Sequence, residues 1–295
     1  MAIYAKNWKK IPTAACSFWV SLTMTGKIGL AILVLTAVMA LLAPYLAVHS
    51  PFTASGETLQ PPGNGHLLGT DNMGVDIWAQ LCYGARISLY LGFATALLAG
   101  FGGSIIGIAA GYWGGKVDRV ILSFIDIMLV LPRLPMIIFT AAFFGSSLEN
   151  IIIVLVAFNW MGPARLVRSQ VLSLREQDYI LAAKSYGAKF WYMLRKHLIP
   201  ELAPIIMVSM VRLASRGIVA EAGLAFLGLG DPSSKSWGMM IYYATNFRGI
   251  YFTPFWQWWL LYPWLAITIL VVGFALVGRD MERSTDPRLR YLVSK

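Results

Sequence analysis

Five ionisable residues lie inside stretches of sequence that are otherwise apolar: Asp126, Arg133, Arg212, Arg216 and Glu221. A charged side chain at membrane depth costs free energy, so such residues are commonly retained for a function such as lining a path for ions or substrates. Asp126 and Arg133 are seven residues apart, which predicts a shared helix face. Arg212 and Arg216 are helical neighbours that repel each other unless another group pairs with them. The five residues are candidates for a translocation path, and structural ion pairs inside a helix bundle are the alternative.

No other group of residues has the spacing of a catalytic or metal-binding motif. The three histidines, His49, His66 and His197, form no H-E-x-x-H motif. The two cysteines, Cys16 and Cys82, match no zinc-site spacing, and no segment has the pattern of a nucleotide-binding P-loop. We therefore expect no catalytic residue, no metal site and no cofactor in this chain. A metal between His49 and His66 is the minor alternative. Any ATP must be used by another subunit, unless the protein is passive.

The composition predicts an integral membrane protein. Apolar residues (AVILMFWYC) make up 58% of the 295 residues and charged residues only 13%, and the mean hydropathy is +0.65. Soluble domains typically have about 25% charged residues, which argues against a soluble enzyme, a disordered chain or a fibrous repeat. A net charge of +10 could indicate nucleic-acid binding in a soluble protein. In a membrane protein it is explained by basic residues flanking the spans, so we expect contact with lipid and none with nucleic acid.

Six stretches are long and apolar enough to be candidate membrane spans, which need about 17–25 residues. They cover 28–48, 87–112, 120–144, 151–163, 205–229 and 255–277. All six are predicted to be helices, because isolated strands would leave backbone polar groups unsatisfied in lipid. The fourth is short, so we expect it to extend into a flanking helix, to lie where the bilayer is thinned, or to be covered by neighbours. Pro132 and Pro135 should bend the third. The predicted fold is an all-α polytopic membrane protein.

The basic residues predict which ends of the spans face the cytoplasm. With the N-terminus inside, 18 of the 24 Lys and Arg residues fall in the inner segments 1–27, 113–119, 164–201 and 278–295. The outer segments hold only Lys235, Arg248 and the borderline Arg86. This asymmetry predicts that both termini are cytoplasmic. The domain organisation is then a cytoplasmic segment at 1–27, a six-helix domain at 28–278 and a cytoplasmic tail at 279–295. A cleaved signal peptide is the alternative for the start of the chain.

The inner segment 164–201, here called the inner loop, is long for a connection, and such loops usually have a function. Its residues from 178 onward favour a helix until Gly187, a residue type suited to the left-handed position that ends a helix. A second short helix is predicted at 189–198. We expect it to end before Pro200, because the residue that precedes proline avoids the helical conformation.

Small and large apolar residues in the inner loop could together form a contact surface. Two alanines, Ala182 and Ala183, would allow another surface to approach closely. The apolar area would come from Phe190, Trp191 and Met193. Such a surface on short helices suits docking into a groove of a soluble protein. An amphipathic segment that lies on anionic lipid is the alternative.

The order of residues at 181–200 resembles the "EAA" loop of bacterial and archaeal ABC-importer permeases. That loop has three residues with two alanines, three more residues, a glycine, nine more, and then a short ending in proline. Here the glycine is Gly187 and the proline is Pro200, while Leu181 stands where the family has glutamate. Asp178 lies three residues earlier, where relatives often have an acidic residue.

Further blocks resemble the permeases of peptide and nickel importers, specifically the second (C-type) of their two permease subunits. Residues 69–76 with 83–89 are similar to the family's GTDxxGRD and GARxSL segments, with Val75 in place of the usual arginine. The segments similar to ExxLxFLGLG, SWG and DPRL lie at 221–230, 236–238 and 286–289. Each block is short, but their common order along most of the chain makes the set specific.

The resemblance implies a type I permease fold in the cell membrane and a heterodimer with a homologous second permease. It also implies two ABC ATPase subunits on the inner side, which would bind ATP and Mg, and a substrate-binding protein on the outer side. The residues implied for coupling to the ATPase are Asp178, Ala182, Ala183, Gly187 and Pro200. Di- or oligopeptides are the expected substrates, with nickel or a metal chelate as the alternative within the family.

Three alternatives lie outside this family. A stand-alone channel or secondary transporter would typically contain an internal repeat, and no convincing repeat relates residues 27–144 to residues 151–278. An intramembrane enzyme would need a catalytic set of side chains, and the sequence contains no such motif. A scaffold that only anchors a partner would not need five charges at membrane depth.

Overall fold

The computed structural model describes residues 22–63 and 65–285. Within these ranges there are thirteen helices and no β-strand apart from two isolated bridges. The helices are α1 Met24–Leu41, α2 Ala43–Leu46, α3 Ile77–Trp113, α4 Gly115–Val130, α5 Arg133–Phe144, α6 Leu148–Asn159, α7 Met161–Arg175, α8 Asp178–Ser185, α9 Phe190–Met193, α10 Ile199–Phe226, α11 Trp237–Asn246, α12 Trp256–Trp259 and α13 Leu261–Thr285. Most of the predicted cytoplasmic segments 1–27 and 279–295, and the family block at 286–289, lie outside the described residues.

The helices confirm an all-α polytopic membrane fold. Five helical stretches are long and apolar enough to cross a membrane, and the pair α4 and α5 makes a sixth if it is one bent span. The five are Met24–Leu41, Ile77–Trp113, Leu148–Arg175, Phe190–Phe226 and Trp256–Arg283. These six segments overlap the six predicted spans in the same order.

The third predicted span, 120–144, is broken rather than continuous. α4 and α5 meet at an angle of 89°, with Leu131 and Pro132 between them. Leu131 has an extended backbone, φ −67° and ψ 135°, as expected for a residue that precedes proline. The bend predicted from the prolines is therefore confirmed. The predicted shared helix face of Asp126 and Arg133 is wrong, because the two residues lie on different helices on either side of the break.

Several spans are longer than predicted, the fourth and the second among them. The fourth extends on both sides of 151–163 to form α6 and α7, together a 28-residue membrane-capable stretch, so the first part of the inner loop, 164–175, is helical. The second begins ten residues before position 87, at Ile77. Asp76 caps this helix, because its Oδ1 atom accepts a hydrogen bond from the Ala79 N–H at 2.7 Å. The last part of the predicted outer segment 49–86 is therefore helical, from Ile77 onward.

α3 is the central helix and contacts α1, α6, α7 and α10. Three glycines of α3, each four residues from the next, pack against α7 of the same chain. A Cβ atom would lie 2.3 Å from the Trp160 carbonyl oxygen at Gly103, and 2.4 Å from the Ala164 carbonyl oxygen at Gly107. At Gly111 it would lie 2.7 Å from the Val171 Cβ atom. This small-residue stripe allows close helix packing, and it holds α7, and with it the inner loop, against the centre of the bundle.

Candidate functional site

The break between α4 and α5 opens onto a pocket of about 640 Å³. The pocket lies between α5, the end of α6 and the second half of α10, and most of its wall is apolar. Its polar lining residues are Arg133, Asn159, Ser215 and Arg216. None of the described residues that line it is acidic. A non-helical backbone at membrane depth is tolerated where it is buried in protein or lines a water-filled cavity. The break between α4 and α5 is therefore compatible with membrane depth because it lies next to the pocket.

Arg133 is held in the pocket by the end of α6. Its Nη2 atom donates a hydrogen bond to the Asn159 side-chain oxygen. Asn159 is buried and donates from Nδ2 to the Leu155 carbonyl oxygen at 2.6 Å. The two hydrogen bonds fix the orientation of the amide and therefore of the guanidinium. Asn159 was not identified from the sequence, although a polar residue at the end of the apolar run 151–158 could have indicated it.

Arg216 lines the same pocket from α10 and is exposed. Among the described residues, no hydrogen-bond or ion-pair partner of Arg216 is present. It lines this cavity together with Arg133, so two positive side chains face the same space. The structure therefore brings together two of the five charged residues that were predicted to line a path.

The other three have partners of their own. Asp126 forms an ion pair with Arg165 of α7, and Arg212 forms one with Glu282 of α13. Glu221 is buried and accepts a hydrogen bond of 2.6 Å from the Ser236 hydroxyl. Their assignment to a translocation path stays a prediction, and the observed pairs correspond to the structural alternative.

The Glu221 contact explains two of the sequence blocks. The Ser236 hydroxyl that donates to Glu221 also accepts the Met239 N–H, so it caps α11. The next residue, Trp237, is buried and donates from its indole N–H to the Leu81 carbonyl oxygen at 2.9 Å. A Cβ atom at Gly238 would lie 2.8 Å from the Ala222 Cα atom. The SWG segment thus fastens α11 to α3 and α10.

A second buried polar cluster fixes the start of α3. The His66 Nδ1 atom lies 2.7 Å from Asp76 Oδ2, and the His49 and His66 rings are 4.7 Å apart. These three residues could in principle supply ligands to a metal ion, since their donor atoms lie within 4.8 Å of one another. The hydrogen bonds that these side chains already make give them a structural role instead. The His49 Nε2 atom is 3.3 Å from the Gly65 carbonyl oxygen, and both Asp76 oxygens are already used. The expectation of no metal site stays a prediction.

The inner loop has the predicted helix end at Gly187. The glycine has φ +78°. The Ala188 N–H donates to the Ala183 carbonyl oxygen at 3.0 Å, and the Gly187 N–H to the Lys184 carbonyl oxygen at 2.9 Å. These two bonds form a Schellman motif, which ends α8 and turns the chain toward α9.

Four neighbouring residues of the loop, Leu181, Ala182, Tyr186 and Gly187, form a surface that we call the docking face. All four are exposed, and Tyr186 exposes 93% of its surface. Ala183 is half-buried, whereas Asp178 and Pro200 are exposed at the two ends of the loop. The structure thus places four of the five predicted coupling residues at the surface. Tyr186 and Leu181 were not selected from the sequence, because nothing in the pattern distinguishes outward from inward positions of so short a helix.

Two residues that were expected to supply apolar contact area have a different role. Met193 is completely buried, and Phe190 packs on Tyr112 and Trp113 at the end of α3, with ring centroids 4.7 Å and 5.2 Å apart. They attach the loop to the bundle. Only Trp191, which exposes 66% of its surface, remains available to a partner. The expectation for Phe190 and Met193 is therefore wrong, and the loop has an inner anchoring side and an outer docking face.

Lys184 and Arg175 strengthen this attachment. The Lys184 ammonium lies 5.4 Å from the centre of the Tyr112 ring, a cation–π contact. The Arg175 Nη1 atom donates to the Gly111 carbonyl oxygen at 2.7 Å. Burial, together with the positive charge of Arg175, lowers the pKa of the Lys184 ammonium.

Pro200 does not end a helix, contrary to prediction. The chain is helical from Phe190 to Phe226, with a π turn at Leu194–Leu198 in which the Ile199 N–H donates to the Leu194 carbonyl oxygen. Proline has no N–H, and a π turn interrupts the regular hydrogen-bond ladder at the point where that donor is missing. The inner loop is consequently continuous with α10, the helix that carries Arg216.

Comparisons with known proteins also identify membrane transport permeases as relatives of this chain. The family model of the inner membrane component of binding-protein-dependent transport systems matches residues 103–291. The chain belongs to this family. The dipeptide transport system permease protein DppC of Bacillus subtilis is 37% identical, over 89% of this chain and 81% of that protein. The oligopeptide transport system permease protein OppC of the same organism is 34% identical, over 98% of this chain and 96% of that protein.

A more distant relative has a similar name. The probable D,D-dipeptide transport system permease protein DdpC of Escherichia coli is 32% identical, over 90% of this chain and 88% of that protein. The similarity covers almost the whole described chain, including the pocket and the inner loop. It confirms the resemblance to permeases that was inferred from the sequence blocks.

Proposed function

We propose that this chain is one permease subunit of an ATP-driven importer of di- or oligopeptides. Three relatives carry the names of dipeptide, oligopeptide and D,D-dipeptide permeases, which favours peptides over nickel or a metal chelate. The chain would form half of the translocation path and would itself hydrolyse no ATP. Two ABC ATPase subunits would bind ATP and Mg, and a substrate-binding protein would deliver the peptide from the outer side.

The observation that carries the proposal is the division of the inner loop into an anchored side and a docking face. An element that transmits movement must be attached firmly to the part that it moves. Phe190 and Met193 attach the loop to the bundle, and continuity from Phe190 to Phe226 joins it to α10. The docking face, with Ala182 and Gly187, would sit in a groove of the ATPase. Closure of the ATPases would then tilt α10 and change the access of the pocket.

The remaining partners and the orientation belong to the same proposal. A homologous second permease would complete the path on the open side of the Arg133 and Arg216 pocket. Both termini would lie on the cytoplasmic side of the cell membrane, because the inner loop contains seven basic residues and the segment 113–119 contains two. Asp126, Arg212 and Glu221 would act near the path through their ion pairs and hydrogen bonds rather than by contact with substrate.

The test is affinity purification of the tagged full-length chain in mild detergent, with mass spectrometry of the co-purified proteins. We expect a second permease of similar length and ATPases with Walker motifs. In Gly187→Val the second permease should remain and the ATPases should be lost, because a β-branched residue cannot adopt φ +78° without strain.

Gly145→Val is the matched control. Gly145 also follows a helix at positive φ, +88°, and no atom lies closer than 4.0 Å to a Cβ at this position, but it belongs to the predicted outer side. It should retain both partners. Recovery of a homo-oligomer without any ATPase would contradict the proposal and favour a channel or secondary transporter. Normal ATPase recovery with Gly187→Val would remove the inner loop from the coupling role.

A further inference from the structure

We propose that Arg133 and Arg216 bind the C-terminal carboxylate of the peptide during its passage. This inference rests on the proposed function, and it assigns a chemical role to the pocket between α5, α6 and α10. The ligand group is the free carboxylate that every unmodified peptide carries, so a site for it would not depend on the side chains of the peptide.

The charges in the pocket support an anionic ligand. Two guanidinium groups line the same, otherwise mostly apolar cavity. Like charges at membrane depth are unfavourable unless an anion or water compensates them. Among the described residues, the only polar partner seen for either guanidinium is the neutral Asn159 side chain. A carboxylate accepts hydrogen bonds from planar guanidinium groups in a bidentate geometry, and it would neutralise part of the charge.

Local stability does not explain Arg133. It is the first residue of α5, where a positive charge opposes the helix dipole. Asn159 nevertheless holds the Arg133 guanidinium in the cavity through a buried hydrogen-bond chain to Leu155. Asn159 is thus a positioning residue, and the arrangement is pre-organised for a ligand.

The size and walls of the pocket fit a short peptide. Its volume of about 640 Å³ lies within the range typical of small-molecule sites, about 300–1,000 Å³. Ile137, Val219 and Leu224 contribute apolar walls that would accept varied side chains. Arg216 lies on α10, which continues into the inner loop, so a tilt of α10 would move Arg216 relative to Arg133 and release the carboxylate.

The experiment is uptake into proteoliposomes that contain the complete importer with its substrate-binding protein, driven by ATP. The probe is trialanine as the free acid and as the C-terminal amide. For the free acid, we expect Arg216→Gln to lower uptake at least about tenfold, the effect of losing a charge-assisted hydrogen bond. The ratio of variant to wild-type uptake should stay near one for the amide. Arg216→Lys, which retains the charge, should recover at least a third of wild-type uptake of the free acid.

Arg119→Gln is the matched control, because Arg119 is an exposed arginine of α4 that does not line the pocket. It should leave uptake unchanged. Equal losses of acid and amide with Arg216→Gln would overturn the inference, and so would a Lys variant no better than the Gln variant. Loss of the second permease from purified Arg216→Gln would overturn it as well, since Arg216 would then pair with that subunit.

The same uptake experiment distinguishes a wrong carboxylate site from a wrong proposed function. In that case the wild-type complex would take up neither form of the peptide with ATP. Normal wild-type uptake together with an unaffected Arg216→Gln variant would overturn the carboxylate site alone.

Discussion

Two arginines of this protein, Arg168 of α7 and Arg216 of α10, both lie on membrane-capable helices, but only Arg168 has an acidic partner among the described residues. Arg168 of α7 contacts both carboxylate oxygens of Asp118, with Nη2 and Oδ2 2.7 Å apart. Only 20% and 17% of the two side chains are exposed. Arg216 has no such partner among the described residues and faces a cavity. The difference separates a charge that holds two helices together from a charge that is available to a ligand.

The exposed ion pairs form an intermediate class. The side chains of Arg165 and Asp126 are 50% and 61% exposed, and those of Arg212 and Glu282 are 51% and 40% exposed. Where water reaches both charges, such pairs contribute little to stability. An intramembrane charge in the sequence can therefore belong to any of three classes, and only its partner and burial decide which.

The largest effect on stability is expected for Arg168→Gln. This change leaves Asp118 as a mostly buried carboxylate without its partner, which should lower the free energy of unfolding by about 2 kcal/mol. Thermal unfolding of the purified protein in detergent measures it. Arg216→Gln, the same chemical change without a broken pair, should alter stability by less than about 0.5 kcal/mol. If the two variants unfold at the same temperature, the distinction between them fails. Adding Asp118→Asn to Arg168→Gln should restore part of the loss.

A much smaller effect is expected for Arg165→Gln. Because the pair with Asp126 is half exposed, its loss should cost less than about 0.5 kcal/mol, and the cost should fall further at high salt. The same unfolding measurement at two salt concentrations tests this. A loss as large as that of Arg168→Gln would show that the Asp126 pair lies in a less solvated environment than its exposure indicates.

The sequence was sufficient to predict the helical membrane fold, the order of the spans and the helix end at Gly187. Each depends on local composition or on the conformation of a single residue. It was insufficient for the partners of the charged residues, since the Asp118 and Arg168 pair spans 50 positions and the Arg212 and Glu282 pair spans 70. Such pairs depend on helix packing, which leaves no local pattern.

Helix boundaries also depend on structure that the local sequence does not determine. The bend predicted at Pro132 is present, but the helix end predicted before Pro200 is not, because a π turn accommodates the missing N–H there. The inner side of the loop was also misassigned. Met193 and Phe190 looked like partner contacts, but Met193 is buried, and Phe190 packs on Tyr112 and Trp113, which lie far earlier in the sequence.

The most direct test of the account is the ATP dependence of peptide uptake by the complete importer in proteoliposomes. Labelled trialanine should accumulate with ATP and Mg, and should not accumulate with ADP. Gly187→Val should abolish accumulation, whereas the Gly145→Val control should retain it. Equal uptake with ATP and ADP would contradict the claim that an ATPase drives this permease. Undiminished ATP-driven uptake by Gly187→Val would contradict the claim that the ATPase docks on the inner loop.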